Sequence, residues 1–289
     1  MKAQVYARGS ALLGEGPRLL PGRTDPWWVD LLRGTVLRRD PSGEAAAVAH
    51  FDGETASALL PLRTGETAVA LRQRIAVIDA SGAETRSVPV DEVPPTHRFS
   101  DATAGPSGHL WLGVVADGAS TADGFLLRRG PDGTIVALDH VGFSNGLGFS
   151  RDGQRLFHID SAAATISVIE HDPATGELGA ARTLYRHPAG EPGELDGLAV
   201  DEHDRVWVAV FGGGVVLCVD QDGAVVHRVS VPAQRVSSCG FGTGEELYIT
   251  TARVDADDDE LIRQPDAGSV FVCSPCCGGG PVWEGTLTP

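Results

Sequence analysis

The chain has 289 residues, of which 42% are hydrophobic, and its formal net charge is −16 at pH 7. This length and hydrophobic content are sufficient for a large buried core. The 23 basic residues are scattered and outnumbered by 39 acidic ones, which argues against nucleic acid as a partner, because phosphate binding needs clustered cations. No stretch approaches the ~20 consecutive apolar residues of a membrane span, so we expect no membrane partner.

The chain is expected to form one cytoplasmic domain. Met1–Arg8 lacks the apolar region of a secretory signal peptide. No Pro- or Ser-rich run, low-complexity block or abrupt change of composition marks a linker between two halves. We therefore expect residues 1–289 to be a single domain and the protein to be cytoplasmic, whereas its oligomeric state stays open.

Short β-rich runs recur along the whole chain, each centred on aromatic or apolar residues. In chain order they are Trp27–Asp30, Ala68–Leu71, His109–Gly113, Arg155–Asp160, Arg205–Ala209 and Glu246–Thr250. The corresponding centres lie roughly 40–50 residues apart, which is typical of propeller blades. Six such units predict six blades.

Several of these runs are followed by a second apolar run, as blades built from consecutive hairpins require. Thr165–Ile169 follows the fourth run, Val215–Val219 the fifth and Ser269–Val272 the sixth. Asp-Gly steps such as Asp132-Gly133 separate the runs, because glycine accepts the positive φ of tight hairpins. A β-sandwich would show strands at roughly 8–12-residue spacing without a longer repeat. The sequence therefore predicts an all-β, six-bladed β-propeller.

Three polar residues beside glycines, Glu15, Asn145 and Asp196, lie far apart in the sequence at breaks between β-rich runs. A ring of blades must be closed, and we expect Gln4–Ala7 to close it beside the last blade, near Pro281–Trp283. The loops that enter the inner strands of a propeller converge on one mouth of the central channel. The three polar residues are therefore expected to meet at that mouth.

Glu15, Asn145 and Asp196 supply only oxygen donors, which hard divalent cations prefer. Two carboxylates around such a cation leave the site close to neutral. Each residue alone also has a simpler interpretation, because Asn or Asp before glycine is typical of a turn. The residues by themselves thus leave metal ligation and turn formation open.

The ordered motifs of the chain resemble those of the regucalcin, senescence-marker protein and gluconolactonase family. The motifs are Leu13–Pro17 followed by Trp27–Asp30, then Arg98–Asp101, then Ser144–Gly153, and then Asp196–Asp201. The resemblance covers essentially the whole chain. It implies a six-bladed propeller with a divalent metal ion, often calcium or zinc, in its central channel.

The resemblance also implies roles for individual residues. The family's metal is held by a glutamate, an asparagine and an aspartate, which correspond here to Glu15, Asn145 and Asp196. The same aspartate acts as general base or water-orienting group, and an arginine that corresponds to Arg98 helps to hold the substrate. Oxygen ligation favours Ca²⁺, Mg²⁺ or Mn²⁺, and the family also accepts Zn²⁺. We expect one such ion, with Ca²⁺ as the first candidate.

The expected substrate-binding residues, Arg98, Ser100 and Asp101, depart from the family pattern. The family typically has Arg-x-Asn-Asp-Gly, whereas Ser100 replaces the asparagine amide by a hydroxyl and Ala102 replaces the glycine. Asp101 either orients Arg98 or caps a turn. An acidic residue that binds sugar hydroxyls in some members aligns with either Asp117 or Gly118.

The resemblance implies a metal-dependent lactonase of the gluconolactonase type, which opens a small lactone, sugar-derived or related, to a hydroxy acid. Two alternatives stay open: a metal-assisted isomerase or cyclase of a specialised pathway, which the altered pocket motif suggests, and a non-catalytic propeller that binds a metal or ligand. A serine hydrolase is disfavoured, because no Gly-x-Ser-x-Gly elbow is present. The expected partner is a small-molecule substrate of open identity.

Overall fold

Six four-stranded antiparallel sheets account for almost all regular secondary structure in the computed structural model, which describes residues 1–118 and 123–288. Blade 1 contains β2 (Gly14–Arg18), β3 (Trp27–Asp30), β4 (Thr35–Arg39) and β5 (Ala45–His50). Blade 2 contains β6 (Ala58–Pro61), β7 (Thr67–Ala70), β8 (Arg74–Ile78) and β9 (Glu84–Pro89). Blade 3 contains β10 (His97–Ala104), β11 (Leu110–Ala116), β12 (Gly124–Gly130) and β13 (Gly133–Val141).

The remaining three blades repeat this order of strands. Blade 4 contains β14 (Ser144–Phe149), β15 (Arg155–Asp160), β16 (Thr165–His171) and β17 (Leu178–Arg186). Blade 5 contains β18 (Glu194–Val200), β19 (Val206–Phe211), β20 (Val215–Val219) and β21 (Val225–Ser230). Blade 6 contains β22 (Val236–Phe241), β23 (Leu247–Thr251), β24 (Val270–Cys273) and the N-terminal β1 (Gln4–Ala7). A short helix, α1 (Asp258–Arg263), lies between β23 and β24.

The first strand of blades 1 to 5 lines the central axis, and in blade 6 this place is taken by β22, because β1 forms the outer edge. These inner strands, β2, β6, β10, β14, β18 and β22, contact one another in cyclic order. The predicted all-β, six-bladed propeller is thereby confirmed. Each of the six recurring β-rich runs overlaps the second strand of a blade, from β3 in blade 1 to β23 in blade 6.

The N-terminal strand closes the ring, as predicted. Gln4 is paired with Val272 and Val5 with Phe271, so β1 forms the outer edge of blade 6. The predicted neighbourhood of Pro281–Trp283 is wrong, because β1 pairs with β24. Pro281–Trp283 instead lines a small cavity in the channel, together with residues of the inner strands.

The hydrophobic core is distributed over the interfaces between blades. In the described residues each pair of neighbouring blades shares one apolar cluster. Large aromatic side chains fill several of them: Trp28 between blades 6 and 1, Trp111 between blades 3 and 4, and Trp207 between blades 5 and 6. Because apolar burial is satisfied between the blades, the axis remains available for polar side chains.

Tight turns with an aspartate at the first position repeat from blade to blade. In blade 1, Asp40 Oδ1 accepts hydrogen bonds from the backbone N–H groups of Ser42 and Glu44. In blade 2, Asp79 Oδ1 accepts the equivalent bonds from Ser81 and Ala83. These side chains satisfy turn donors that no strand partner could reach.

Over residues 1–118 and 123–288, no helix has the length and apolar character that crossing a membrane requires.

Candidate metal and active site

Three inner strands bring Glu15, Asn145 and Asp196 together at one mouth of the channel. Glu15 lies on β2 of blade 1, Asn145 on β14 of blade 4 and Asp196 on β18 of blade 5. All three line one cavity of about 390 Å³. Asn145 Nδ2 donates a hydrogen bond to Asp196 Oδ1 at 2.6 Å. Residues up to 181 positions apart in the sequence thus share one site.

A break in the strand register accompanies each of these polar side chains. The pairing of β2 with β3 is irregular directly after Glu15, and β14 and β18 are irregular across the segments that contain Asn145 and Asp196. The same break in β10 spans Ser100 and Asp101. β6 pairs regularly with β7 and contributes no residue to the cavity. Bulges re-aim side chains beside active sites, and here they coincide with the polar positions.

Asn145 and Asp196 lie within strands, so the alternative that they are turn formers is wrong. The glycines that follow them serve close packing. A Cβ atom on Gly146 would lie 2.7 Å from the carbonyl oxygen of Asp196, and one on Gly197 would lie 2.2 Å from the hydroxyl of Ser238. Inner strands converge near the axis, and side chains at these positions would force them apart.

Glu15 and Asp196 are buried carboxyls of like charge, exposed by 7% and 9%. Burial raises the pKa of Glu15 well above its usual range, and the charges of Asp196 and Asp101 raise it further. Burial likewise raises the pKa of Asp196, although the hydrogen bond from Asn145 opposes the shift. Arg98 offsets this negative charge only in part. An additional cation would therefore stabilise the ionised pair.

The donor set fits a hard divalent cation. Asn145 uses its amide N–H groups for Asp196 and for Ser161 Oγ, the latter at 3.2 Å. Among the described residues, its carbonyl oxygen accepts no hydrogen bond. In the same parts of the chain, no three His, Cys, Asp or Glu side chains form a metal-ligating group. The candidate set consists of two carboxylates and one amide that line one cavity. Metal ligation by these residues stays a prediction.

Arg98 and Ser100 line the same cavity from blade 3. The Arg98 side chain is 18% exposed, its Nη1 donates to the carbonyl oxygen of Phe99 at 3.0 Å, and its Nε lies 3.9 Å from Asp117 Oδ1. Asp117 also forms an ion pair with Arg72. Asp117 is therefore an acidic side chain beside Arg98, and its correspondence to the acidic position of the family stays a prediction. Ser100 Oγ donates to the carbonyl oxygen of Ser144 at 2.5 Å.

Asp101 lies apart from Arg98 and Ser100, in a second cavity of about 90 Å³ further along the channel. Burial raises the pKa of Asp101 to about 6, and the charge of Arg18 opposes the shift. Arg18 lines the same cavity, and its Nε is a buried donor without a hydrogen-bond partner in the described structure. A substrate contact by Asp101 stays a prediction, and its charge partner is Arg18.

Four polar residues near the channel were missed by sequence reasoning: Arg18, Arg72, Ser161 and Glu194. Ser161 accepts from Asn145 and donates to the carbonyl oxygen of Leu195 at 2.6 Å. Glu194 lies two positions before Asp196 and lines the mouth. Ser161 directly follows β15, and Arg72 lies two residues after β7, so both come after the second strand of their blades. Loops after second strands open on the same mouth as the entrances to the inner strands. That topological rule is the signal that would have identified Ser161 and Arg72.

The raised carboxyl pKa values predict how pH affects the metal-free protein. Because the folded state holds these protons more tightly than the unfolded chain, the free energy of unfolding should fall as pH rises from about 4 through the folded pKa values. Bound Ca²⁺ would pair with the ionised carboxylates and reduce this fall. Thermal unfolding across this pH range, in chelator and in excess Ca²⁺, measures the difference. Glu15→Gln should flatten the chelator curve, and identical curves in both conditions would contradict the prediction.

The fold and site together define the class of the protein: a six-bladed β-propeller with two carboxylates and an amide at one mouth of its channel. The family described as "SMP-30/Gluconolactonase/LRE-like region" matches residues 13–253. The chain belongs to this lactonase-like family, which confirms the resemblance seen in its motifs.

Individual relatives are similar over most of their length. A regucalcin from Danio rerio is 35% identical over 220 residues, which are 74% of this chain and 74% of the relative. The pentonolactonase XacC from Haloferax volcanii is 34% identical over 252 residues, which are 86% and 84% of the two chains. The crystal structure of a calcium-binding protein, regucalcin, from Agrobacterium tumefaciens has a TM-score of 0.89 at 25% identity and covers 99% of this chain and 97% of its own.

Proposed function

We propose that this protein is a metal-dependent hydrolase that opens a small lactone to its hydroxy acid. The observation that carries the proposal is the convergence of Glu15, Asn145 and Asp196 in one cavity at the channel mouth. The kinship with a protein named pentonolactonase supports the reaction type. The partner is then a small-molecule substrate.

We also propose that residues 1–289 form one domain, which the pairing of β1 with β24 supports. A cytoplasmic location stays a prediction.

Glu15, Asn145 and Asp196 would hold one divalent metal ion. Ca²⁺ is the first candidate because the donors are all oxygens and because a relative of known structure is named a calcium-binding protein. Zn²⁺, Mg²⁺ and Mn²⁺ are the alternatives. When bound, the ion would polarise the lactone carbonyl and lower the pKa of a water molecule beside it.

Asp196 would act as the general base. Its Oδ1 accepts from Asn145, which fixes the carboxylate plane and leaves Oδ2 to accept a proton from water. The water oxygen adds to the carbonyl carbon, the ring C–O bond breaks, and the former ring oxygen takes a proton to become the hydroxyl of the product. Arg98 would donate to the carbonyl oxygen as negative charge develops there.

Chelation and reconstitution test the proposal. Protein stripped with EDTA should hydrolyse γ-valerolactone or glucono-δ-lactone at least about a hundredfold more slowly than protein reloaded with Ca²⁺, Mn²⁺ or Zn²⁺. A pH-indicator assay measures acid release, and chromatography identifies the hydroxy acid. Equal rates with and without metal would contradict the metal dependence. Metal binding by calorimetry without turnover of any lactone would favour the non-catalytic alternative, and consumption of lactone without hydroxy acid would favour an isomerase or cyclase.

A further inference from the structure

The mouth of the 390 Å³ cavity has two chemically different walls. The wall on the side of blade 3 carries Arg98 and Ser100. The wall formed by blades 4, 5, 6 and 1 and the loops between them, which we name the apolar wall, consists of Leu13, Leu31, Phe143, Phe211 and Val254. The same blades also carry the candidate metal ligands Glu15, Asn145 and Asp196, and the exposed Glu194 adds a further carboxylate.

The apolar wall presents large side chains to the cavity. Leu31 is buried, whereas Leu13, Phe143, Phe211 and Val254 are half-buried. Apolar side chains that are scattered over a surface need no explanation, but several that face one concave site indicate an apolar ligand surface. Two aromatic rings and three aliphatic side chains form such a surface here.

Backbone hydrogen bonds fix part of this wall. The N–H of Val254 donates to the carbonyl oxygen of Leu12 at 2.9 Å, which joins the loop of blade 6 to the loop that enters blade 1. The N–H of Leu31 donates to the carbonyl oxygen of Leu13 at 2.8 Å. Leu13, Leu31 and Val254 are thereby held in one arrangement, and a pre-formed surface costs little ordering entropy when a ligand binds.

Both serine hydroxyls of the cavity donate within the protein. Ser100 Oγ donates to the carbonyl oxygen of Ser144, and Ser161 Oγ donates to that of Leu195. Arg98 donates from Nη1 to Phe99 and keeps its other N–H groups for the lactone carbonyl. A polyhydroxylated sugar ring needs a hydrogen-bond partner for each hydroxyl that it buries, because an unpaired buried hydroxyl is costly. The five side chains of the apolar wall offer no such partner.

We infer that the substrate is a lactone with an apolar substituent, such as an alkyl chain or an aryl ring, rather than a polyhydroxylated sugar lactone. This inference rests on the proposed function. The lactone ring lies between Arg98 and Asp196, and the substituent lies against Phe143, Phe211 and Leu13. Ser100 contributes to this specificity, because its hydroxyl donates to the carbonyl oxygen of Ser144 and is not free to donate to a substrate hydroxyl.

A chain-length series on the metal-loaded protein tests the inference. We expect kcat/KM for γ-nonalactone to exceed that for γ-valerolactone by at least about tenfold, because burial of several additional methylenes favours the longer substrate. We also expect the rate with γ-nonalactone to exceed that with glucono-δ-lactone. Equal values along the series, or a preference for glucono-δ-lactone, would overturn the inference.

A pair of variants in blade 5 tests the role of the apolar wall. Phe211→Ala should reduce the ratio of the nine-carbon to the five-carbon kcat/KM by about tenfold or more. Val226→Ala is the matched control, because Val226 is an apolar residue on the outer strand β21 of the same blade and is 42% exposed. The ratio of the nine-carbon to the five-carbon kcat/KM in Val226→Ala should equal that of the wild type. An unchanged ratio in Phe211→Ala would overturn the assignment of the wall.

Binding of the matching γ-lactams separates this inference from the proposed reaction. In these compounds a ring N–H replaces the ring oxygen, and hydrolysis does not interfere with calorimetry. Tighter binding of the nine-carbon lactam than of the five-carbon lactam supports apolar recognition even if every lactone remains unhydrolysed, in which case the proposed reaction alone fails. Equal affinities, or no binding of either lactam, would overturn the inference while hydrolysis of small lactones persists.

Discussion

Replacing Asp196 with asparagine should abolish lactone hydrolysis while it makes the metal-free protein more stable. The substitution keeps the size of the side chain but removes the general base and one of the two metal-ligating charges, so we expect kcat/KM to fall by at least about a thousandfold. It also removes a buried like charge beside Glu15, and the free energy of unfolding in chelator should therefore rise at neutral pH. Kinetics and thermal unfolding measure the two effects.

The opposite signs of these two effects distinguish a functional role of Asp196 from a structural one. A residue that only supports the fold would lose activity and stability together. Asp132→Asn is the control, because Asp132 is an exposed aspartate in a hairpin of blade 3 and does not line the cavity. Asp132→Asn should change neither kcat/KM nor the free energy of unfolding. Activity of Asp196→Asn within tenfold of wild type would contradict the proposed mechanism.

Replacing Asp201 with alanine should cause the largest loss of stability among single charge deletions. Asp201 is fully buried, and its Oδ2 accepts hydrogen bonds from Trp207 Nε1 at 2.9 Å and from Arg205 Nε at 2.7 Å. Although burial raises the pKa of Asp201, the bonds from Trp207 and Arg205 outweigh it and hold the pKa below its usual value. Removal would leave these donors unpaired and should lower the free energy of unfolding by about 3–5 kcal/mol.

Chemical denaturation of Asp201→Ala in chelator and in excess Ca²⁺ measures this loss. Asp222→Ala is the control, because Asp222 is an exposed aspartate in a hairpin of the same blade, and surface substitutions usually stay within about 0.5 kcal/mol. The stabilisation that Asp201 gives the wild-type protein should be fully present above the pKa of about 4 that this carboxyl has in the unfolded chain. It should be lost as the pH falls through the lower pKa of the folded state. A loss below about 1 kcal/mol would contradict this account of the buried network.

The repeat of apolar runs was sufficient to predict the six blades because the second strand of a blade is covered on both faces. β3, β7 and β23 are buried along their whole length, and each therefore appears in the sequence as a short run of mostly apolar residues. The inner strands do not show this pattern. β2 and β18 carry glycines and charged residues, because they approach one another closely and face the channel. Locally such a sequence resembles a loop.

The candidate metal ligands could be predicted from the sequence only because their motifs occur together in a family order. By itself, Asn145-Gly146 or Asp196-Gly197 is a turn pattern, and the packing of neighbouring inner strands is what requires the glycines. The register breaks that turn these side chains to the cavity depend on pairing with the next strand. That pairing is a tertiary property.

The sequence alone determined the fold class and the number of blades, since these follow from periodicity, and the family order of its motifs singled out Glu15, Asn145 and Asp196 as candidate oxygen donors. Only the tertiary structure decided which charges meet: Asp117 with Arg72 and Arg98, and Asp101 with Arg18 in a separate cavity. It also gathered Leu13, Phe143 and Phe211 into one wall. The physical reason is that closure of the ring sets which blades face each other across the axis, and no local pattern contains that information.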